Sequence, residues 1–172
     1  MHAEAHEWVA RHATTEPVTV LDIGGRNING SVRDLFPGAT VYIVLDIADG
    51  QGVDIVADAA TWTPDRQYDV VVTAETFEHT AVWPEICATA FTATKPGGRF
   101  IATMAGPGRP AHSAVDGGPT LYPGEHYGNV EPDDLRAVLA ECGFVDMVID
   151  RQERPADVRC VATKPEARHA DR

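Results

Sequence analysis

The chain has 172 residues, 44% hydrophobic and 23% charged, a globular balance that excludes a largely disordered chain and fits one domain over residues 1–172. Fourteen basic against 26 acidic residues give a net charge of −12, and only Lys95 and Lys164 are lysines. With no basic stripe, nucleic acid is disfavoured as a partner unless another subunit supplies a positive face, and so is an anionic membrane surface.

No apolar run approaches the roughly 18 to 20 residues of a spanning helix. The opening Met1-His2-Ala3-Glu4 has no basic-then-apolar leader pattern, which points to the cytoplasm. Cys87, Cys142 and Cys160 are odd in number and lack C-x-x-C spacing, so they read as reduced thiols that pack as small apolar residues.

Residues 3–12 place Trp8, Val9 and His12 on one face of a helix within an N-terminal stretch 1–13, and Thr14-Thr15-Glu16-Pro17 breaks the pattern. Strands are expected at 18–23, 40–46 and 53–58, with a short helix over 31–36 ended by Pro37-Gly38. Residues 62–66 are too short and turn-like for a crossover helix, so this unit is trimmed to a loop. The apolar run 68–73 reads as a strand buried on both faces, followed by a helix over 83–94, a stop at Lys95-Pro96-Gly97-Gly98 and a strand over 99–104. Residues 132–142 form a helix with Pro at its first turn, Asp133 and Asp134 at its positive end and Gly143 as cap. Runs at 145–149 and 159–163 read as a closing antiparallel hairpin, and 165–172 as a disordered tail. The alternation predicts an α/β fold with a mostly parallel sheet.

The central signal is Val20-Leu21-Asp22-Ile23-Gly24-Gly25-Arg26-Asn27-Ile28-Asn29-Gly30, a strand entering a glycine-containing loop. Glycine permits a close approach of ligand to backbone. Asp46, at the end of the second strand, can accept hydrogen bonds from ribose hydroxyls, and Asp58 holds the matching place after the third. A dinucleotide is disfavoured, because bulky residues stand where a G-x-G-x-x-G turn would cradle pyrophosphate.

With Leu45-Asp46, Ala57-Asp58-Ala59, Tyr68-Asp69-Val70-Val71-Val72, Phe77-Glu78-His79 and Lys95-Pro96-Gly97-Gly98-Arg99-Phe100, in this order and spacing, the chain resembles class I S-adenosylmethionine-dependent methyltransferases, especially the small "type 11" group. The resemblance implies a Rossmann-like fold and S-adenosyl-L-methionine as cofactor, with S-adenosyl-L-homocysteine as product. It further implies that Asp22 and Gly24, with Gly25 and Arg26, shape the pocket for the methionine part. Asp46 would hold the ribose, Ile47 would lie against adenine, Asp58 and Ala59 would read the adenine edge, and Thr73 and Ala74 would run beside the sulfonium. The family's G-x-G-x-G is altered here: Arg26 stands at a usual glycine place, either pairing with the methionine carboxylate or pointing to solvent.

For the acceptor, two regions offer proton-accepting groups. Glu75 and His79 are four apart and would share a face of a helix, with Glu78 beside them; alternatively the two glutamates favour a helix start and His79 packs. Residues 105–130, ten of them Gly or Pro, read as a lid carrying Arg109, His112, Ser113, Asp116, Tyr122, Glu125, His126 and Tyr127. His112 and His126 are the lid's candidate bases. His112, Asp116 and His126 match no compact metal motif, so no metal is expected, and Trp62 and Trp83 read as packing residues. The expectation is methyl transfer to a small-molecule acceptor, since no further domain exists to read a polymer. A non-catalytic adenosylmethionine- or nucleotide-binding subunit, or a nucleic-acid methyltransferase with a basic partner, are the rivals.

Overall fold

The computed structural model describes residues 1–167, so most of the tail expected at 165–172 lies outside the described residues. Ten elements follow one another: α1 (Ala3–His12), β1 (Val18–Ile23), β2 (Ala39–Asp46), β3 (Ile55–Val56), β4 (Tyr68–Ala74), α2 (Trp83–Ala93), β5 (Thr94–Ala105), α3 (Pro132–Cys142), β6 (Val145–Gln152) and β7 (Asp157–Thr163). The strands form one sheet in the order β3-β2-β1-β4-β5-β7-β6. β1 to β5 run parallel, while β7 lies antiparallel between β5 and β6 as the closing hairpin.

Alternation along β1 sends Val20 to one face and Leu21 and Ile23 to the other. The first face is closed by α1, whose Ala5, Trp8 and Val9 are buried at helical spacing. His2 stands at the N-cap with its Nδ1 3.1 Å from the Glu4 carboxylate, and Glu4 in the first turn and Arg11 in the last are both favourable to the helix dipole. α2 and α3 cover the second face, where Leu135, Leu139 and Cys87 are fully buried. Gly143 ends α3 in the left-handed region at φ +103, where the Phe144 amide donates back to the Leu139 carbonyl at 3.0 Å. Trp62 and Trp83 pack against this second cluster.

Three expectations need correction. The helix over 31–36 is a single 3-10 turn, Arg33–Leu35, because Pro37-Gly38 leaves no room for a second turn and α1 already covers that face. The strand over 53–58 shrinks to Ile55–Val56, because Asp54 turns its carboxylate onto the Val44 amide at 2.9 Å before the ladder begins. Lys95-Pro96-Gly97-Gly98 does follow the end of α2, but the next strand starts before it and not at Arg99: the four residues bulge inside β5, with pairing passing from Tyr68–Thr94 to Val70–Arg99 and Gly97 at φ +75. No helix among the described residues is long and apolar enough to cross a membrane.

The chain leaves β1 toward β2 and β3 and then returns to the other side of β1 as β4 and β5. This reversal opens a crevice at the carboxyl ends of the strands.

Candidate functional site

A cavity of about 580 Å³ occupies that crevice. Gly24, Arg26, Asp46, Ile47, Asp58 and Ala59 all line it, as the strand-end reading expected. Gly24 turns at φ +73 so close to Thr76 that a β-carbon there would lie 2.3 Å from its hydroxyl. The Asp46 carboxylate accepts from the amides of Arg26 at 3.1 Å and Ala48 at 2.9 Å, one on each oxygen. A lone pair remains on each oxygen for a ligand. Ile47 is 72% exposed and Ile28 44%, unusual for large apolar side chains, and both stand on the cavity wall. Asp58 is exposed and closes its own turn by accepting from the Ala60 amide at 2.9 Å.

Asp22, Gly25 and Ala74 instead line a smaller adjoining cavity of about 80 Å³. Asp22 is buried and accepts from the Tyr42 hydroxyl at 2.8 Å; burial pushes its carboxyl up to about 7. A β-carbon on Gly25 would meet this carboxylate at 2.5 Å. Thr73 is fully buried and lines neither cavity. Arg26 does not point to solvent: it lines both cavities, and its guanidinium donates to the Ala114 carbonyl at 3.5 Å, across to the 105–130 segment.

On the opposite wall, Glu75 and His79 do not share a helix face. Glu75 ends β4's carboxyl edge in the left-handed region at φ +55, a strained conformation for a residue with a side chain, and only Phe77–His79 forms a 3-10 turn. That backbone delivers Glu75 into an ion-pair group. His2 Nε2 lies 3.2 Å from both Glu75 and Asp157, while Arg109 reaches Asp157 at 2.6 Å and Glu75 at 3.8 Å. Burial opposes charge on both His2 and Glu75, yet the pairing prevails, raising His2 to about 10 and holding Glu75 below the usual carboxylate range.

Glu78 is different. It is fully buried, and neither carboxylate oxygen has a donor in hydrogen-bonding geometry. Burial and the Glu75 charge push it well above its ordinary value. His112 Nε2 stands 3.9 Å from it. His79, whose Nδ1 is also buried without a partner, is driven down to about 4 by burial and by His112 nearby. The rings of His79 and His112 meet edge to face at 4.9 Å, and Tyr127 packs against both.

Residues 106–130 hold no helix or strand, but they are tied internally. Glu125 accepts from the Ser113 hydroxyl at 2.9 Å and the Ala114 amide at 2.8 Å, and Gly128 donates to the Glu78 carbonyl at 2.8 Å. His112 and Ser113 line the large cavity; His126 is exposed and lines neither. His112 therefore converges with Glu78 and His79, not with Asp116 and His126. Sequence reasoning missed the cavity-lining His2, Ile28, Thr76 and Ile86, as well as buried Asp157. Arg109 was visible in the lid, but no sequence signal linked it to residues so far along the chain.

The profile of a family described as a methyltransferase domain matches residues 1–147. No curated protein sequence matches the chain. Among solved structures, phosphoethanolamine N-methyltransferase 2 of Haemonchus contortus in complex with S-adenosyl-L-methionine superposes with a TM-score of 0.69 at 15% identity, over 95% of this chain and 52% of that one. The chain thus spans about half the length of that enzyme. DhpI, in a complex with SAH, gives a TM-score of 0.69 at 20% identity, covering 96% of this chain and 84% of that one. The N-methyltransferase NodS from Bradyrhizobium japonicum WM9 gives 0.64 at 16% identity, covering 95% and 96%. At these identities the likeness is one of fold, the Rossmann-like fold of methyltransferases.

Proposed function

Because the chain belongs to this methyltransferase-domain family, we propose that it binds S-adenosyl-L-methionine across β1 and β2 and transfers its methyl group to a small molecule seated beneath residues 105–130. The observation that carries the reading is the division of one cavity into two chemistries. One wall has a carboxylate with free lone pairs beside exposed Ile28 and Ile47, suited to a ribose and a flat apolar base. The other has titratable side chains under a long segment.

When bound, S-adenosyl-L-methionine supplies a methyl group on a sulfonium that any aligned nucleophile can displace. Asp46 holds the ribose, Ile47 and Ile28 exclude water from the base, and Asp58 and Ala59 border the base's polar edge. Gly24, Gly25 and Asp22 shape the methionine end with Ala74, while Thr73 supports the strand from the core. Residues 109–114 cover the acceptor, and His79 and His112 face it as hydrogen-bonding groups. The net charge of −12 supports a small acceptor over a nucleic acid. The free thiols Cys87, Cys142 and Cys160 support a cytoplasmic setting.

Titration calorimetry tests the reading. S-adenosyl-L-homocysteine should bind and NAD should not, and Asp46→Ala should weaken binding about tenfold or more, the worth of a charged hydrogen bond of ~1.5 to 3 kcal/mol. Tighter binding of NAD would overturn it.

A further inference from the structure

We infer that Glu78, His79 and His112 form a binding site for one divalent transition-metal ion, in the wall of the cavity on its acceptor side. One ligand atom from each of the three lies within 4.8 Å of the other two. Ligands about 2.1 Å from a common ion stand no more than about 4.2 Å apart, so small side-chain rotations close the set. Two imidazoles and one carboxylate suit Zn²⁺, Mn²⁺, Fe²⁺ or Co²⁺.

The second observation is the state of the ligands. Glu78 is 0% exposed, and although the backbone amides of Glu78 and Ala105 lie near its carboxyl, neither oxygen accepts in hydrogen-bonding geometry; His79 Nδ1 is likewise buried without a partner. Folded proteins rarely leave buried polar atoms without partners, because each gives up its hydrogen bonds to water with nothing in exchange; a cation at this point satisfies both side chains. His112 is oriented for the task. Its Nδ1 lies 3.3 Å from the Pro110 carbonyl, so an N–H there donates outward and leaves the Nε2 lone pair facing Glu78. Tyr127 wedges against both imidazoles and limits their rotation.

A neighbouring trio, His2, Glu75 and Asp157, meets the same distance condition. It already holds its own cation, since Arg109 pairs with Asp157 at 2.6 Å. Glu75 Oε1 and Asp157 Oδ2 also lack a hydrogen-bond donor, but their carboxylates face Arg109 and His2, whereas among the described residues the only basic side chain within 4 Å of the Glu78 carboxylate is the His112 imidazole.

His79 and His112 line the cavity, whereas Glu78 does not, so the ion's remaining coordination positions face the acceptor. This deepens the proposed function and rests on it, naming the acceptor class as a compound with a hydroxyl group. Coordination of that oxygen lowers its pKa, and its proton leaves to water. An oxygen lone pair then forms the O–CH₃ bond as the CH₃–S bond breaks, with that electron pair remaining on the sulfur as a thioether.

The test uses the full chain, stripped with a chelator and dialysed, then titrated with Zn²⁺ by calorimetry and with Co²⁺ by visible absorption, without cofactor. One ion per chain is expected, with affinity falling at least tenfold in Glu78→Gln and in His112→Ala and unchanged in His126→Ala, an exposed position off the cavity. His112 lies in the 105–130 segment outside the core, so its variant reports even if Glu78→Gln fails to fold. Absence of ion binding, wild-type affinity in His112→Ala, or an equal loss in His126→Ala would each overturn the site. S-adenosyl-L-homocysteine titrated into the same samples separates the two readings. Metal bound without it sinks the methyltransferase reading and leaves the site standing; the reverse sinks the site alone.

Discussion

The two walls of the cavity are built by different means. The wall proposed for adenosine comes from residues at or just past the ends of β1, β2 and β3, where sheet register sets the spacing of Gly24, Asp46 and Asp58. The acceptor side is assembled from stretches more than 150 residues apart, since His2 meets Asp157 there. One wall inherits its geometry from the ladder. The other depends on charges finding one another, so its shape and its stability are a single problem.

The strongest way to break this contrast is Asp157→Ala. It leaves Glu75 as the single carboxylate facing both Arg109 and His2, one buried negative charge against two positive ones. Breaking a buried ion pair from one side costs about 3 to 5 kcal/mol, and at ~2 to 4 °C per kcal/mol for a chain this size the melting temperature should fall by roughly 10 °C in calorimetry. A fall of under about 2 °C, as at an ordinary surface site, would mean that the acceptor wall does not need the network.

Asp22→Asn probes the other wall by pH. The folded carboxyl titrates at about 7 against an ordinary 3.8, so the folded state favours the proton. The stability this contributes is full below about pH 4 and is lost as pH rises through about 7. Asparagine carries no charge to bury. The variant should match the wild type near pH 4 and exceed it near pH 8 by up to a few kcal/mol in chemical denaturation. Parallel curves at both pH values would refute the burial account.

The smallest effect sharpens the comparison within the lid. His112→Ala should lower single-turnover methyl transfer at least tenfold while S-adenosyl-L-homocysteine affinity stays within about twofold, because a group on the acceptor wall adds to the reaction step rather than to cofactor binding. His126→Ala, an exposed position off the cavity, should change stability by no more than about 0.5 kcal/mol and leave transfer unaltered. Equal losses from both would show that the lid acts as a whole rather than through one ring.

What the sequence disclosed follows the same division. α1, β1 and α3 begin and end where caps, prolines and apolar period say, because those signals are local. β3 and the 3-10 turn at Arg33–Leu35 are shorter than their patterns, since neighbouring side chains and α1 take over what longer elements would have done. Asp46 and Gly24 were legible because strand ends are. His112 and His126 were not distinguishable, because nothing in a Gly- and Pro-rich stretch records which histidine turns inward. The partnership of Glu78 with His112 depends on a return of the chain that only the fold reveals.

The contact from Arg26 to the Ala114 carbonyl joins the glycine loop to the lid. Whatever orders one end of that bridge alters the affinity at the other by the same factor, a reciprocity required of any pair of linked equilibria. A single long hydrogen bond limits that factor to about two- to tenfold. On the proposed function, acceptor and cofactor would therefore be mild partners rather than strict gatekeepers, and a filled acceptor side should slow the exchange of spent cofactor without stopping it.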